Sequence, residues 1–274
     1  MLRVRFWEHQ EAALRVPQIT AFFWIVKGLS TAMGESTSDY LVHTIHPVPA
    51  VLLGFVGFVV ALTLQLAMGH YNAWTYWFAV VMVGVFGTMA ADVLHVGLGV
   101  PYAVSALLYG GVLAATFVLW ERVEHTLSVH SIETLRRELF YWAAVVATFA
   151  LGTAVGDLTA LTFGWGYFAS VCVFAVLILV PAIGYRYGGW SPVFAFWFAY
   201  VLTRPLGASI ADWFGKPKSA GGLGVGAGTM SVLLTLLIAC LVAYLAVTRK
   251  DVQPVSPRSR TASSASRSSP ARRD

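Results

Sequence analysis

Residues 196–212 read FWFAYVLTRPLGASIAD. Three earlier stretches keep the same frame: FWIVKGLSTAMGESTSD at 23–39, YWFAVVMVGVFGTMAAD at 76–92 and YWAAVVATFALGTAVGD at 141–157. In each, an aromatic residue precedes a Trp, and an Asp follows that Trp by 15 positions. The pairs are Trp24/Asp39, Trp77/Asp92, Trp142/Asp157 and Trp197/Asp212. A Gly stands five residues before each Asp, at Gly34, Gly87, Gly152 and Gly207. Random placement of the chain's Trp and Asp would give only about 0.2 such pairs, so four in frame mark an internal repeat.

Around these stretches the 274-residue chain is 58% apolar and only 11% charged. A soluble domain carries roughly 25% charge. This composition excludes a soluble globule, a disordered chain and a disulfide-stapled secreted module. The two cysteines, Cys172 and Cys240, lie in apolar runs without metal-ligand spacing. Eight apolar stretches approach the roughly 20 residues that cross a bilayer. They run over 17–41, 50–69, 73–95, 100–120, 139–161, 167–185, 191–213 and 228–247. The expected fold is all-α: a polytopic membrane protein with eight transmembrane helices, arranged as four parallel two-helix repeats with pseudo-fourfold character. Each unit pairs a motif helix with a plain apolar one, so every copy enters the bilayer from the same side. The division is an N-terminal segment 1–16, repeats at 17–70, 71–121, 139–187 and 188–248, a charged loop at 122–138 and a tail at 249–274.

Fourteen of the eighteen Lys and Arg fall on the side that holds both termini. Lys216 and Lys218 fall on the other side, and Lys27 and Arg204 lie within spans. Both termini are therefore expected in the cytoplasm, and the net charge of +5 marks a cytoplasmic face rather than a nucleic-acid partner. The first 16 residues lack the apolar core of a cleavable signal. The Ser/Arg/Pro-rich tail is expected to be disordered. Its basic residues would attract anionic lipid at roughly 1 kcal/mol each. Fifteen helical residues rise about 22 Å. Each Trp thus belongs near the cytoplasmic surface and each Asp near the outer one. Trp24, Trp77, Trp142 and Trp197 read most simply as interface anchors.

With this frame the chain resembles a family of bacterial membrane proteins built of four tandem two-helix repeats, each marked by a Trp. The resemblance covers about residues 17–247. Members are commonly labelled only as membrane-anchored proteins of unassigned function. It implies the repeat architecture and a bacterial inner membrane, and no activity.

Five carboxylates lie in the motif helices: Glu35, Asp39, Asp92, Asp157 and Asp212. Steps of four stay on one helix face. Lys27, Thr31, Glu35 and Asp39 form one polar stripe, and Tyr200, Arg204, Ala208 and Asp212 another. Thr88 and Thr153 precede the Asp residues of the middle copies. If the repeats close into a ring, copies one and four become neighbours and Lys27, Glu35 and Arg204 can meet. Crowded carboxylates must take a proton or bind a cation. The leading expectation is a secondary transporter of a small cation, divalent ions included, coupled to protons. Glu35 and the four Asp would bind ion or proton, and Lys27 and Arg204 would compensate their charge. The alternative is a non-transporting scaffold or sensor in which the Asp residues fix helix packing. A carrier of small organic anions and a membrane-embedded enzyme rank lower.

His43, His46 and His95 form a candidate metal set with Glu35. Ser131 is a candidate N-cap for the following helix. The run GGLGVGAG at 221–228 follows a membrane helix, not a strand, and reads as a linker rather than a nucleotide loop. Neither a Ser-His-Asp set nor a zinc-protease HExxH is present. No catalytic residue and no cofactor is expected. The expected partners are the bilayer and a small ion or molecule.

Overall fold

A computed structural model describes residues 14–253. Arg3, Arg5 and the tail from residue 254 onward lie outside the described residues. Nine α-helices carry the fold among those residues: α1 (Ala21–Thr44), α2 (Pro47–Met68), α3 (Ala73–Asp92), α4 (Tyr102–Glu124), α5 (Leu135–Asp157), α6 (Gly166–Leu177), α7 (Leu179–Tyr187), α8 (Pro192–Gly215) and α9 (Ala227–Thr248). Seven helical stretches are long and apolar enough to cross a membrane: α2, α3, α4, α5, α6 joined with α7, α8 and α9. At 24 residues α1 is as long, but it carries Lys27, Glu35 and Asp39.

The motif helices are α1, α3, α5 and α8. Each starts at a side-chain cap. Thr20 accepts from the Phe23 N–H, Asn72 from those of Trp74 and Thr75, Thr134 from Arg137 and Ser191 from Phe194. Such caps satisfy backbone donors that a helix start leaves free. Ser131 is not the cap of α5. The chain first makes a tight turn at Val129–Ser131, where the Ser131 hydroxyl donates to the Ser128 carbonyl. The helix therefore begins only after Thr134.

These four helices pack side by side in a closed circuit, α1 on α3, α3 on α5, α5 on α8 and α8 back on α1. The repeat glycines explain why they come so close. A methyl on Gly34 would strike the Gly84 backbone, and one on Gly87 would strike Phe149. On Gly152 it would overlap Arg204, and on Gly207 Thr31. Each motif glycine thus faces the residue seven after the Trp in the next copy, and the fourth copy faces the first. Small residues permit this approach where lipid supplies no hydrophobic drive between helices.

The plain helices lie outside the circuit, each mainly against the motif helix that follows it. α2 packs on α3, α4 on α5, α6 and α7 on α8, and α9 on α1. The stretch expected at 167–185 is broken at Ile178. Pro181 has no N–H for the Leu177 carbonyl, so the helix divides there. After Asp92 and Asp157 the backbone widens into five-residue turns. The Leu98 N–H reaches the Val93 carbonyl and the Phe163 N–H that of Leu158. Such widened turns occur often at functional sites.

The tryptophans correct the expectation of four interface anchors. Trp77, Trp142 and Trp197 are buried in the core, and only Trp24 is half-buried. Trp197 donates to the Leu127 carbonyl, in the segment between α4 and α5, at 2.9 Å, and Trp142 to Glu138, one turn earlier on α5, at 3.4 Å. Glu138 itself, which the sequence placed in a charged loop, is fully buried. It accepts from Arg15 at 2.7 Å and Gln65 at 3.0 Å.

Candidate functional site

The circuit stacks its polar residues in layers along one axis. The Asp layer comes last on each motif helix, next to the loop after α8. Lys216 lies one turn beyond Asp212 and follows the end of α8. Its ammonium donates to Asp39 Oδ2 at 2.5 Å and stands 3.5 Å from Asp212 Oδ1. Burial opposes that charge, but Asp212 and Asp39 outweigh it and hold the lysine well above its usual pKa. Asp92 and Asp157 have no such ion-pair partner among the described residues. Asp92 lies within electrostatic reach of Glu35 and Asp39, and Asp157 of Asp212, Glu35 and Asp92. Four carboxylates thus share one ammonium.

One turn deeper, Glu35 meets Arg204. The guanidinium donates to Glu35 Oε2 at 2.8 Å, to Thr153 Oγ1 at 2.7 Å and to Thr88 Oγ1. Its other terminal nitrogen donates to the Thr31 carbonyl at 3.1 Å. One arginine on α8 therefore touches α1, α3 and α5. Arg204 is wholly buried and Glu35 nearly so. Glu35, Thr88 and Thr153 occupy the same repeat position, eleven residues after each Trp. The fourth copy has Ala208 there, which leaves room beside the charge.

Deeper still lies Lys27. Its ammonium does not reach Glu35. It rests 4.0 Å from the Phe149 ring centre and 4.3 Å from that of Tyr200, with no hydrogen-bond partner among the described residues. Such faces favour a cation. The guanidinium of Arg204 lies on the same Phe149 ring, at 4.9 Å. Below Lys27 an aromatic floor of Phe23, Tyr76, Trp77, Tyr141, Trp142 and Trp197 closes the axis.

Of the sequence-derived residues, the structure brings Glu35, Arg204, Thr88 and Thr153 into contact and joins Asp39 to Asp212 through Lys216. Lys27 stands apart from the carboxylates. The histidine metal set is corrected. His43 Nδ1 pairs with the Asp39 carbonyl at 2.7 Å, His95 Nδ1 pairs with that of Val100 at 2.6 Å, and His46 precedes α2. Among the described residues, no three His, Cys, Asp or Glu side chains are grouped to hold a metal. The role of Lys216 was missed, although its i,i+4 spacing from Asp212 was a legible signal. An apolar cleft of about 760 Å³ between α1, α7, α8 and α9 lies outside the circuit and carries none of these charges.

Three segments, 75–126, 140–187 and 195–251, match the family described as Repeat of Unknown Function (DUF347). Together they cover more than half of the chain. The chain belongs to the DUF347 repeat family. Each match takes in one motif helix with the plain helix after it: α3 with α4, α5 with α6 and α7, α8 with α9. The first copy lies outside the matches, and it is the one that carries Lys27 and Glu35. No curated protein and no solved structure matches the chain.

Proposed function

We propose that this DUF347 protein is a secondary transporter of the bacterial inner membrane, exchanging a small cation, divalent ions included, for protons. The reading takes α1 as an eighth span, the repeats as parallel and pseudo-fourfold, and both termini as cytoplasmic. The Asp layer then faces outward and the aromatic floor seals the inner side. The observation that carries it is the order of charges along the axis: a carboxylate-rich mouth, a buried Glu35–Arg204 pair behind it, and Lys27 behind that.

In this reading the mouth concentrates cations, because three of its carboxylates exceed the single ammonium of Lys216. Crowded carboxylates release their excess charge by taking either a proton or a cation, and the two compete. Arg204 holds Glu35 in place of the ion between turnovers.

The test is thermal unfolding of purified protein with Mg²⁺, Mn²⁺ and Zn²⁺, followed by flux of the stabilising ion into liposomes. A ligand specific to the folded state adds about 2.7 kcal/mol at a hundred times its Kd. One ion should stabilise the wild type, and Asp39→Asn should remove the effect. A flat response to all three would favour the scaffold reading instead. That second reading draws on the way Arg204 braces the other motif helices.

A further inference from the structure

An apolar cleft of about 760 Å³ runs along the seam where the fourth copy meets the first. α1 and α8 form its base, and α7 and α9 form its walls. Small residues open it: Gly28 and Ala32 on α1, and Ala195, Ala199 and Gly207 on α8. A methyl added to Gly28 would meet no atom within 4 Å. Where α9 covers the seam between α1 and α3, Met33, Trp74 and Phe78 line the gap, and it holds only about 150 Å³.

Hydrogen-bonding side chains in the cleft are gathered toward one end. Thr203 lies midway, and its hydroxyl already donates to the Tyr200 carbonyl at 2.6 Å. Trp24, His130 and Tyr185 stand at the end where the motif helices start. Indole, imidazole and phenol each carry a hydrogen-bond donor. Arg186 follows Tyr185 in the last turn of α7 and is exposed. Toward the Asp layer the lining is Leu206, Ile210, Phe214, Met230 and Leu234, apolar throughout. The cleft is therefore amphipathic along its length. Its walls continue into the surface that meets lipid. Leu179 and Ile183 on α7 and Leu233 and Leu237 on α9 are exposed, and both helical stretches are long and apolar enough to cross a membrane.

We propose that this cleft binds one phospholipid, with its acyl chains along α8 and its phosphate beside Trp24, His130 and Tyr185. Ligand sites between helices are commonly clefts of roughly 300–1,000 Å³ with apolar walls and a few polar groups that fix orientation. Basic groups between spanning helices attract lipid headgroups, and Arg186 supplies such a charge at the polar end. A seated lipid touches α1, α7, α8 and α9 together. It therefore braces the joint at which Gly207 meets Thr31 and Arg204 meets Glu35. Such binding requires a bilayer but no transport, so it stands apart from the cation reading.

The full chain, purified in detergent and washed free of lipid, tests this by titration with dioleoylphosphatidylglycerol. Native mass spectrometry counts the lipid retained, and thermal unfolding reads its effect. Wild type should retain one phospholipid and unfold at a higher temperature with it. Gly28→Leu places a side chain in the cleft and should weaken binding at least tenfold. Ala182→Phe fills the cleft from α7 and covers a folding failure of the first variant. Gly111→Leu is the control: it lies exposed on α4, away from the cleft, with no atom within 4 Å of the added Cβ, and it should bind as wild type does. Wild-type retention in the two filled variants would overturn the site, because the lipid would then be held by the outer surface at large. So would a wild type that retains no lipid. Equal stabilisation by oleate or by inorganic phosphate would overturn the phospholipid assignment, since chain or head alone would then suffice.

Discussion

Glu35 and Arg204, 169 residues apart in the chain, meet at 2.8 Å in the centre of the helix circuit. The same arginine reaches Thr88 and Thr153, the residues that replace Glu35 in the second and third copies. One charge pair thus closes the first repeat onto the fourth, and two hydroxyls bind the middle copies to it. Desolvating two ions is costly, so such a pair does not guarantee net stability. Losing one partner is another matter.

Glu35→Gln should therefore destabilise the protein by about 3–5 kcal/mol, because it leaves a buried guanidinium without its counter-ion. The double variant Glu35→Gln/Arg204→Met should recover much of that loss. Unfolding in detergent measures both, and equal losses in the single and double variants would show that the pair is not coupled.

Gly207→Ala should cost about 1–3 kcal/mol, the usual range for overpacking, because the added methyl overlaps Thr31. Gly28→Ala on α1 is the control. No atom lies within 4 Å of its added methyl, and replacing a mid-helix glycine gains roughly 0.5–1 kcal/mol. The same unfolding assay should move the two variants in opposite directions.

Lys216→Met removes the cation that bridges Asp39 and Asp212. The mouth then gains negative charge, and a stabilising divalent ion should bind about tenfold more tightly, equivalent to 1.4 kcal/mol. Ion titrations of the unfolding temperature would read this. Weaker binding in the variant would mean that Lys216 organises the mouth rather than competing for it.

Arg15→Met should cost about 3 kcal/mol, at the low end for a broken buried pair. Glu138 loses its cation but still accepts from Gln65 and Trp142. Arg15→Lys should cost less, since it keeps the charge. Equal losses would point to packing of the arginine stem rather than to its charge.

Much of this was legible in the chain. The Trp–Gly–Asp frame marked the repeats, and the apolar stretches coincide with helices over most of their length. The proximity of Glu35 to Arg204 followed from assuming a ring. The position of Lys27 did not, because steps of four place it on the stripe of Glu35 without saying that its ammonium settles on Phe149 and Tyr200. The tryptophans were misread for a related reason. Trp is enriched at membrane surfaces, but here three of the four are buried in the core, and the segment between α4 and α5 supplies the partner of Trp197. Glu138 carried no local mark of burial, since its partners Arg15 and Gln65 are distant in the chain.

The sequence by itself determined what depends on neighbours in the chain: apolar runs of spanning length, the repeat and the asymmetry of basic charge. These are local properties of composition and spacing. Only the tertiary structure decided which side chains share the axis. The circuit closes through contacts between copies, each motif glycine against the next helix, and that closure places Arg204 on Glu35, Lys216 between two aspartates and Tyr76 against Tyr141. Electrostatic and hydrogen-bond energies depend on distances of a few ångströms, and the packing of helices far apart in the chain sets those distances.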